Sequence, residues 1–263
     1  MNVLAVAVAG RGLVDPHAPV FSADDEALLR GRAVFETARV YGGRPFRLDA
    51  HIDRLAQSAA RVRLPPPDRA ECLRLADGVV KAAGVADLAL RFFWTGTALV
   101  STGAALPLEL EELRARGIRL SVVRWSTGAL AAAKSTSYAE NMAAQDEAAE
   151  RGADDALLVA HDGTVLEAPT ANVWWREGDT LLTPSLGLPI LAGVTRAVLL
   201  ELASTAGYAV EEGVFPLHRL LGADEVFLCS SIREVMPAAD VDATPFELGP
   251  AARALQGALR SMT

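Results

Sequence analysis

A run of small residues at positions 126–133, STGALAAA, divides this sequence of 263 residues into two parts with different patterns. The run has neither helical nor strand periodicity, which is typical of a connector between domains. A chain of this length can bury one large core or two smaller ones. We therefore expect a small N-terminal domain over residues 1–125, a linker at residues 126–133 and a larger C-terminal domain over residues 134–263.

The first part combines strand and helix patterns. Residues 33–41 resemble a strand, and Gly42-Gly43 predicts the tight turn of a hairpin. Apolar residues then recur at helical spacing, at Leu48, Ile52, Leu55, Ala59 and Val62, and this helix must end before Pro65. A second helix is predicted over residues 68–83, with further strands at 3–8, 88–95 and 118–124. This mixture predicts an α+β unit with an antiparallel sheet.

The second part opens with a helix signal. Ser137 and Glu140 form a capping box, which predicts a helix over residues 138–151 that ends at Gly152. Short strands are predicted at 156–160, 164–166, 172–175, 180–183, 208–215 and 225–230, and helices at 194–206 and 250–262. We expect a compact antiparallel sheet or a partial barrel with flanking helices.

Composition excludes several classes of function. The net charge of −8 opposes binding to nucleic acid or to anionic membranes, and the apolar opening at residues 3–8 is too short to span a bilayer. Cys72 and Cys229 lack CxxC spacing, which favours a reducing cytoplasm. The four histidines are scattered, so no metal site is expected. The sequence also lacks the serine-hydrolase elbow, the Walker loop and the dinucleotide-binding glycine motif.

Lys134 remains as the candidate for chemistry. It stands between three alanines and the Ser135-Thr136-Ser137 segment, where no acidic residue adjoins it. A lysine becomes a nucleophile when burial disfavours its ammonium form. The alternative is a solvated lysine in a linker.

Six segments, in order, resemble the class IV aminotransferase family, whose members include branched-chain and D-amino-acid aminotransferases and aminodeoxychorismate lyase. The resemblance covers most of residues 31–245. Its segments are GRAVFETARV at 31–40, FRLDAHIDRL at 46–55, KSTSY at 134–138, LEAPTANV at 166–173, GVTR at 193–196 and SSIREV at 230–235. The resemblance implies fold type IV: an N-terminal α/β sandwich and a C-terminal pseudo-barrel with flanking helices.

The resemblance also implies pyridoxal 5'-phosphate as the cofactor. Lys134 would form the Schiff base with the cofactor aldehyde and move the proton at the substrate α-carbon. Glu167 would face the pyridine nitrogen, because a protonated ring accepts electrons best. Phosphate would be bound by Arg54, by the helix start at Gly193, Val194 and Thr195, and by Ser231 and Ile232. Tyr138 would contact the phenolic oxygen of the cofactor.

The substrate contacts implied by the family are Phe35, Thr37, Arg91 and Trp94 from the first part and Arg233 from the second. Arg91 or Arg233 would bind a substrate carboxylate. Residues 91–96 lack the signatures of typical D-amino-acid aminotransferases and aminodeoxychorismate lyases, which leaves the subtype open.

Each side chain also has a structural interpretation. These are a turn carboxylate for Glu167, an N-cap for Thr195, an exposed helix arginine for Arg54, a core tyrosine for Tyr138, surface arginines for Arg91 and Arg233, and sheet packing for the aromatic residues.

The expected function is transfer of an amino group from an amino acid or primary amine to a 2-oxo acid. One alternative is a lyase that releases pyruvate and 4-aminobenzoate from aminodeoxychorismate. Another, from a different class, is a non-catalytic carrier of the cofactor. The resemblance further implies a homodimer.

Overall fold

The computed structural model describes residues 2–126 and 128–263; Met1 and Thr127, the latter within the predicted linker, lie outside the described residues. Within this range the chain forms two compact units. The first extends to Pro107 and also includes Ala132–Tyr138, and the second comprises Leu108–Ala131 and Ala139–Thr263. The segment that contains Lys134 therefore belongs to the first unit.

The first unit is built on an antiparallel sheet. Its elements are β1 (Val3–Val8), β2 (Gly12–Val14), α1 (Glu26–Arg30), β3 (Val34–Tyr41), β4 (Arg44–Pro45), α2 (Leu48–Arg61), α3 (Arg69–Ala83), β5 (Leu88–Trp94) and β6 (Leu99–Ala104). In the described residues six strands pair antiparallel in the order β2-β1-β6-β5-β3-β4. The predicted antiparallel sheet is confirmed. Gly42 and Gly43, with φ of 53° and 79°, make the hairpin turn between β3 and β4.

Helices α2 and α3 cover one face of this sheet. Of the predicted apolar positions, Ile52, Leu55 and Ala59 are buried in α2, Val62 is buried just beyond its end, and Leu48 is partly buried. They pack with Leu75 and Val79 of α3 in one core. Asp68 caps α3, because its carboxylate accepts hydrogen bonds from the amides of Ala70 and Glu71 at 2.8 and 3.2 Å. Both predicted helices are confirmed.

The second unit contains a mixed sheet. Its elements are α4 (Leu110–Arg116), β7 (Ile118–Trp125), α5 (Ala139–Glu150), β8 (Asp155–Ala160), β9 (Asn172–Glu177), β10 (Thr180–Pro184), α6 (Val194–Ala203), β11 (Ala209–Gly213), α7 (Leu217–Leu221), β12 (Glu225–Ser230), β13 (Glu234–Val241), β14 (Thr244–Pro245) and α8 (Pro250–Arg260). Strands run in the order β11-β10-β9-β12-β13-β7-β8, and β14 pairs with β13. Helices α6 and α8 share a core with the buried side chains of Trp174 and Phe227.

Several predictions for the second unit were wrong in detail. Its sheet is not purely antiparallel, because β7 pairs in parallel with β8 and β13, and β10 pairs in parallel with β11. The same pairing places β7 in this sheet, whereas the sequence pattern assigned it to the first part. Residues 164–166 form only isolated bridges, and α6 ends at Ala203, three residues before the predicted end. The combination of helices and sheets confirms the α+β class.

Within residues 2–126 and 128–263, none of the helices combines the length and the apolar character needed to cross a bilayer.

Candidate active site

The main chain of Lys134 is held from two sides within the first unit. Its carbonyl accepts a hydrogen bond from the Phe35 amide at 2.9 Å, and its own amide donates to the Ser58 hydroxyl at 3.1 Å. The next residue, Ser135, forms an antiparallel bridge with Val34. The main chain of Lys134 is thus fixed beside β3 and α2, and the residue is half-buried.

The side chain of Lys134 lies against an aromatic surface. Its Nζ atom is 4.4 Å from the centroid of the Phe35 ring, a cation–π distance. The Phe35 ring stacks on Phe93 and meets the Tyr138 ring edge-on at 5.3 Å between centroids. Three predicted site residues, Lys134, Tyr138 and Phe35, are therefore brought together.

A buried charge cluster lies beside the lysine. Glu36 is fully buried, and its carboxylate accepts hydrogen bonds from Arg54 Nε and a terminal nitrogen of Arg54 at 2.7 and 2.8 Å. Nδ1 of His51 is 2.8 Å from the same carboxylate. Arg54 is 8% exposed, which rules out the interpretation as an exposed helix arginine.

Electrostatics in this cluster favour an ionised Glu36. Burial opposes its charge, but Arg54 and the hydrogen bond from His51 outweigh burial and lower the pKa of Glu36 to about 2. Burial lowers the pKa of His51, and the charges of Arg54 and Lys134 lower it further, against the pull of Glu36. A neutral His51 therefore donates to an ionised Glu36.

In the second unit, Glu167 is held by amide donors. Its carboxylate accepts hydrogen bonds from the Asn172 side-chain amide at 3.0 Å and from the Leu191 amide at 3.1 Å. The same Asn172 nitrogen also donates to the Leu191 carbonyl at 3.0 Å. Hydrogen bonds from N–H groups favour an ionised carboxylate. The arrangement fits a group that must pair with a protonated ring nitrogen.

Helix α6 begins at Val194, three residues beyond Leu191. Gly193 is its N-cap, and no side-chain hydrogen bond caps it among the described residues. Thr195 lies within the first turn of the helix and is buried, so it is not the N-cap. A Cβ atom at Gly193 would lie 2.0 Å from Asn172 Oδ1. The exposed amides of a helix start bind anions, and glycine allows Asn172 to approach this one closely.

Ser231, Ile232 and Arg233 form the turn between β12 and β13. The Arg233 amide donates to the Ser230 hydroxyl at 3.3 Å. The Arg233 guanidinium is paired with Asp155, a fully buried carboxylate at the start of β8. The guanidinium of Arg233 thus already has a carboxylate partner within the second unit.

The predicted substrate residues do not all share one face of the first sheet. Thr37 is opposite Arg91 and Phe35 opposite Phe93 across β3 and β5, so these side chains share a face. Trp94 alternates to the other face, where it packs against the core under α2 and α3 and donates its indole N–H to the Pro65 carbonyl at 2.7 Å. Side chains alternate between the two faces of a strand. Trp94 is three positions from Arg91, so the two side chains lie on opposite faces of the sheet.

Arg91 is a partly buried cation. Its Nε atom is buried and has no hydrogen-bond partner among the described residues. Burial lowers the pKa of Arg91. Such a group is suited to an anionic ligand, because its desolvation has not been offset by a partner.

Four residues that support the site were not assigned roles from the sequence: Glu36, His51, Ser58 and Asn172. Glu36, His51 and Asn172 stand inside the recognised segments. His51, Arg54 and Ser58 recur at helical spacing on α2, which is a signal that the sequence contained. No group of three His, Cys, Asp or Glu side chains suited to a metal ion occurs in the described part of the chain.

The sequence is similar to that of known proteins. Residues 33–241 match the family model described as Amino-transferase class IV. The chain is 31% identical to the aminodeoxychorismate lyase of Bacillus subtilis (strain 168), over 95% of this chain and 91% of that protein. It is 33% identical to a bifunctional aminodeoxychorismate lyase / D-amino acid transaminase of Mycobacterium tuberculosis, over 84% and 85% of the two chains.

Solved structures of other proteins have a similar fold. A hypothetical aminotransferase from Mycobacterium tuberculosis in its PLP-bound form matches with a TM-score of 0.91 and 29% identity, over 98% of this chain and 100% of that one. The same protein bound to alpha-ketoglutarate and PMP gives a TM-score of 0.91. Similarity over nearly the whole chain confirms the fold that the sequence predicted.

Proposed function

The chain belongs to the class IV aminotransferase family, and from this premise we propose that it is a pyridoxal-phosphate-dependent transaminase. It would move an amino group from an amino acid or primary amine to a 2-oxo acid. The observation that carries the proposal is the placement of Lys134, whose main chain is fixed by Phe35 and Ser58 and whose amine lies on the Phe35 ring.

The residues present fit the cofactor. When bound, pyridoxal phosphate supplies an aldehyde that takes up the amino group and a ring that accepts electrons. Lys134 would attach the cofactor and hold or release the proton at the substrate α-carbon. Glu167, whose carboxylate accepts hydrogen bonds from Asn172 and Leu191, would keep the ring nitrogen protonated.

The phosphate group requires cationic and dipolar partners. We assign it to Arg54, to Ser231 and the Ile232 amide, and to the start of α6 at Gly193, Val194 and Thr195. A ten-residue helix with an N-cap glycine supports this assignment through its free amides and its dipole. Tyr138, whose ring packs on Phe35, would contact the phenolic oxygen.

Phe35, Thr37 and Arg91 are the favoured substrate contacts. They share one face of the first sheet, and Arg91 carries an unsatisfied buried Nε among the described residues. Trp94 and Arg233 have structural partners in Pro65 and Asp155, so we give them no direct contact with substrate.

The chain's two lysines allow a direct test. Lys81 is the other lysine, and it is exposed on α3 and paired with Asp77. Borohydride should trap the cofactor on Lys134, and Lys134→Ala should abolish both trapping and turnover. The matched variant Lys81→Ala should retain both. Full activity in Lys134→Ala would refute the proposal, and trapping without any half-reaction would favour the cofactor carrier.

A lyase is the second candidate. It is favoured by the 31% identity to the Bacillus subtilis lyase, and the Mycobacterium tuberculosis relative is described as having both activities. Half-reactions with D-alanine, an L-branched amino acid and (R)-phenylethylamine, each followed by 2-oxoglutarate, should be compared with aminodeoxychorismate. Pyruvate and 4-aminobenzoate from the last, with no amino transfer from the others, would replace the transaminase by the lyase.

We further propose that the enzyme is a cytoplasmic homodimer. Both cysteines are free and buried, and burial raises the pKa of Cys72 to about 11 and that of Cys229 to about 12. Such thiols are unreactive, and the absence of a disulfide among the described residues is consistent with a reducing compartment. Light scattering during size-exclusion chromatography should give twice the chain mass of 27.7 kDa.

A further inference from the structure

One face of α2 contacts both the buried charge cluster and the main chain of Lys134. His51 and Arg54 lie on this face and bind Glu36, and Ser58 lies one turn further on. The Ser58 hydroxyl is buried and accepts the hydrogen bond from the Lys134 amide at 3.1 Å. Helix α2 thus carries Arg54, the proposed phosphate ligand, and also contacts the main chain of Lys134, the proposed reactive lysine.

We propose that Ser58 is a positioning residue for Lys134. This inference rests on the proposed function, since it assigns Ser58 the task of presenting the Lys134 amine to the cofactor. The hydroxyl fixes the amide side of Lys134, while the Phe35 amide fixes its carbonyl side. With both groups held, the side chain starts from one defined main-chain position beside the Phe35 ring.

Removing the hydroxyl tests this anchor directly. Alanine has no oxygen atom to accept the bond from the Lys134 amide, so the hydrogen bond to residue 58 is lost in Ser58→Ala. The Phe35 hydrogen bond remains, so we expect the segment to keep its fold but to sample a wider range of positions. The hydrogen bonds between Arg54 and Glu36 do not involve Ser58, so we expect the phosphate site to be unaffected.

Ser101 provides a matched control. It is a buried serine on β6 in the same unit, and its hydroxyl has no hydrogen-bond partner among the described residues. Ser101→Ala removes the same atom from a similarly buried site, without removing an anchor of Lys134. Ser58→Cys is a second test variant, because a thiol is nearly isosteric but a weak acceptor.

The first readout does not depend on the cofactor. With [15N]lysine labelling, the protein gives amide signals from Lys134 and Lys81 only. Hydrogen exchange at Lys134 should accelerate about tenfold in Ser58→Ala, the factor expected for one lost hydrogen bond. Exchange at Lys81 should not change, and Ser101→Ala should alter neither signal. Unchanged exchange at Lys134 in both Ser58→Ala and Ser58→Cys would overturn the proposal.

The second readout separates positioning from a merely structural role. Pyridoxamine 5'-phosphate binds without a covalent bond to lysine, so its affinity reports the phosphate and ring contacts. We expect that affinity to stay within about threefold in Ser58→Ala, while covalent attachment of pyridoxal phosphate slows about tenfold. Equal losses in both, or no loss in attachment, would refute the positioning role.

These outcomes also separate this inference from the proposed function. Failure of the wild-type protein to attach pyridoxal phosphate at Lys134 would refute the proposed function. Normal attachment in the wild type together with normal attachment in Ser58→Ala would refute only the role of Ser58.

Discussion

Arg54 faces Glu36 with two nitrogens, so that Nε and a terminal nitrogen lie 2.7 and 2.8 Å from the two carboxylate oxygens. This bidentate geometry fixes the plane of the guanidinium. The pair spans β3 and α2 and is nearly withdrawn from water. Its rigidity makes Arg54 a preorganised cation, which is what recognition of a phosphate group requires.

We expect Glu36→Gln to destabilise the protein. The variant leaves the Arg54 charge buried without its counter-ion, which costs about 3 to 5 kcal/mol of unfolding free energy. Urea denaturation would measure the loss. Asp53→Asn is the control, because Asp53 pairs with Arg69 at the exposed side of α2 and should contribute almost nothing. Equal effects of the two substitutions would contradict the importance of burial.

The stability of the wild type should depend on pH through Glu36. Its pKa is about 2 in the folded protein against the ordinary 4.5, so the unfolded chain binds a proton that the folded one does not. The stabilisation is complete above about pH 4.5 and is lost as pH falls toward 2. Between these values the wild type should lose about 1.4 kcal/mol per pH unit more than Glu36→Gln. Parallel urea titrations at four pH values would measure the difference, and identical slopes would show that Glu36 is not paired.

The fold was predictable where local pattern and tertiary environment agree. The spacing from Leu48 to Val62 predicted α2, because one apolar face is buried against one sheet. No strand was predicted over residues 234–241, where β13 lies, and its Pro237 is a residue that central strands disfavour. In the structure, pairing of β13 with β7 begins at Ala238, just after the proline, so the missing amide is tolerated. The parallel position of β7 could not be foreseen, since no local signal specifies a non-local partner.

The sequence predicted which residues belong to the candidate site better than it predicted the contacts between them. Lys134, Tyr138 and Phe35 were named from the sequence and lie together. The hydrogen bond between Lys134 and Ser58 joins residues 76 positions apart, which local spacing cannot reveal. Alternation along β5 separates Trp94 from Arg91, so the structure does not bring Trp94 to the face shared by Phe35, Thr37 and Arg91.

Gly193→Ala should disturb the start of α6. The added Cβ would lie 2.0 Å from Asn172 Oδ1, so either the helix start or the Asn172 side chain must move. We expect the affinity for pyridoxal phosphate to fall about tenfold or more, because the phosphate amides and the Asn172 bond to Glu167 are both disturbed. Equilibrium dialysis would measure it.

Two further variants control for this substitution. Gly257→Ala, inside α8 with no atom within 4 Å of the new Cβ, should stabilise the protein by about 0.5 to 1 kcal/mol and leave cofactor affinity unchanged. Adding Asn172→Ala to Gly193→Ala should cost less than the sum of the single losses, since the clash is removed. Additive losses would contradict the close approach.

We expect substitutions of Arg91 and Arg233 to have different effects on substrate binding. Arg233 is paired with the buried Asp155, whereas the buried Nε of Arg91 has no partner in the described part of the chain. Arg91→Met should therefore raise the KM for a 2-oxo acid about tenfold or more, with a smaller change in kcat, because a charge-assisted hydrogen bond to the carboxylate is lost. Arg233→Met should instead lower the unfolding free energy and leave KM within about threefold, since it strands Asp155. Steady-state kinetics and urea denaturation on both variants would separate the two arginines. A large rise in KM for Arg233→Met without loss of stability would reverse the assignment, because it would mean that Arg233 leaves Asp155 to bind substrate.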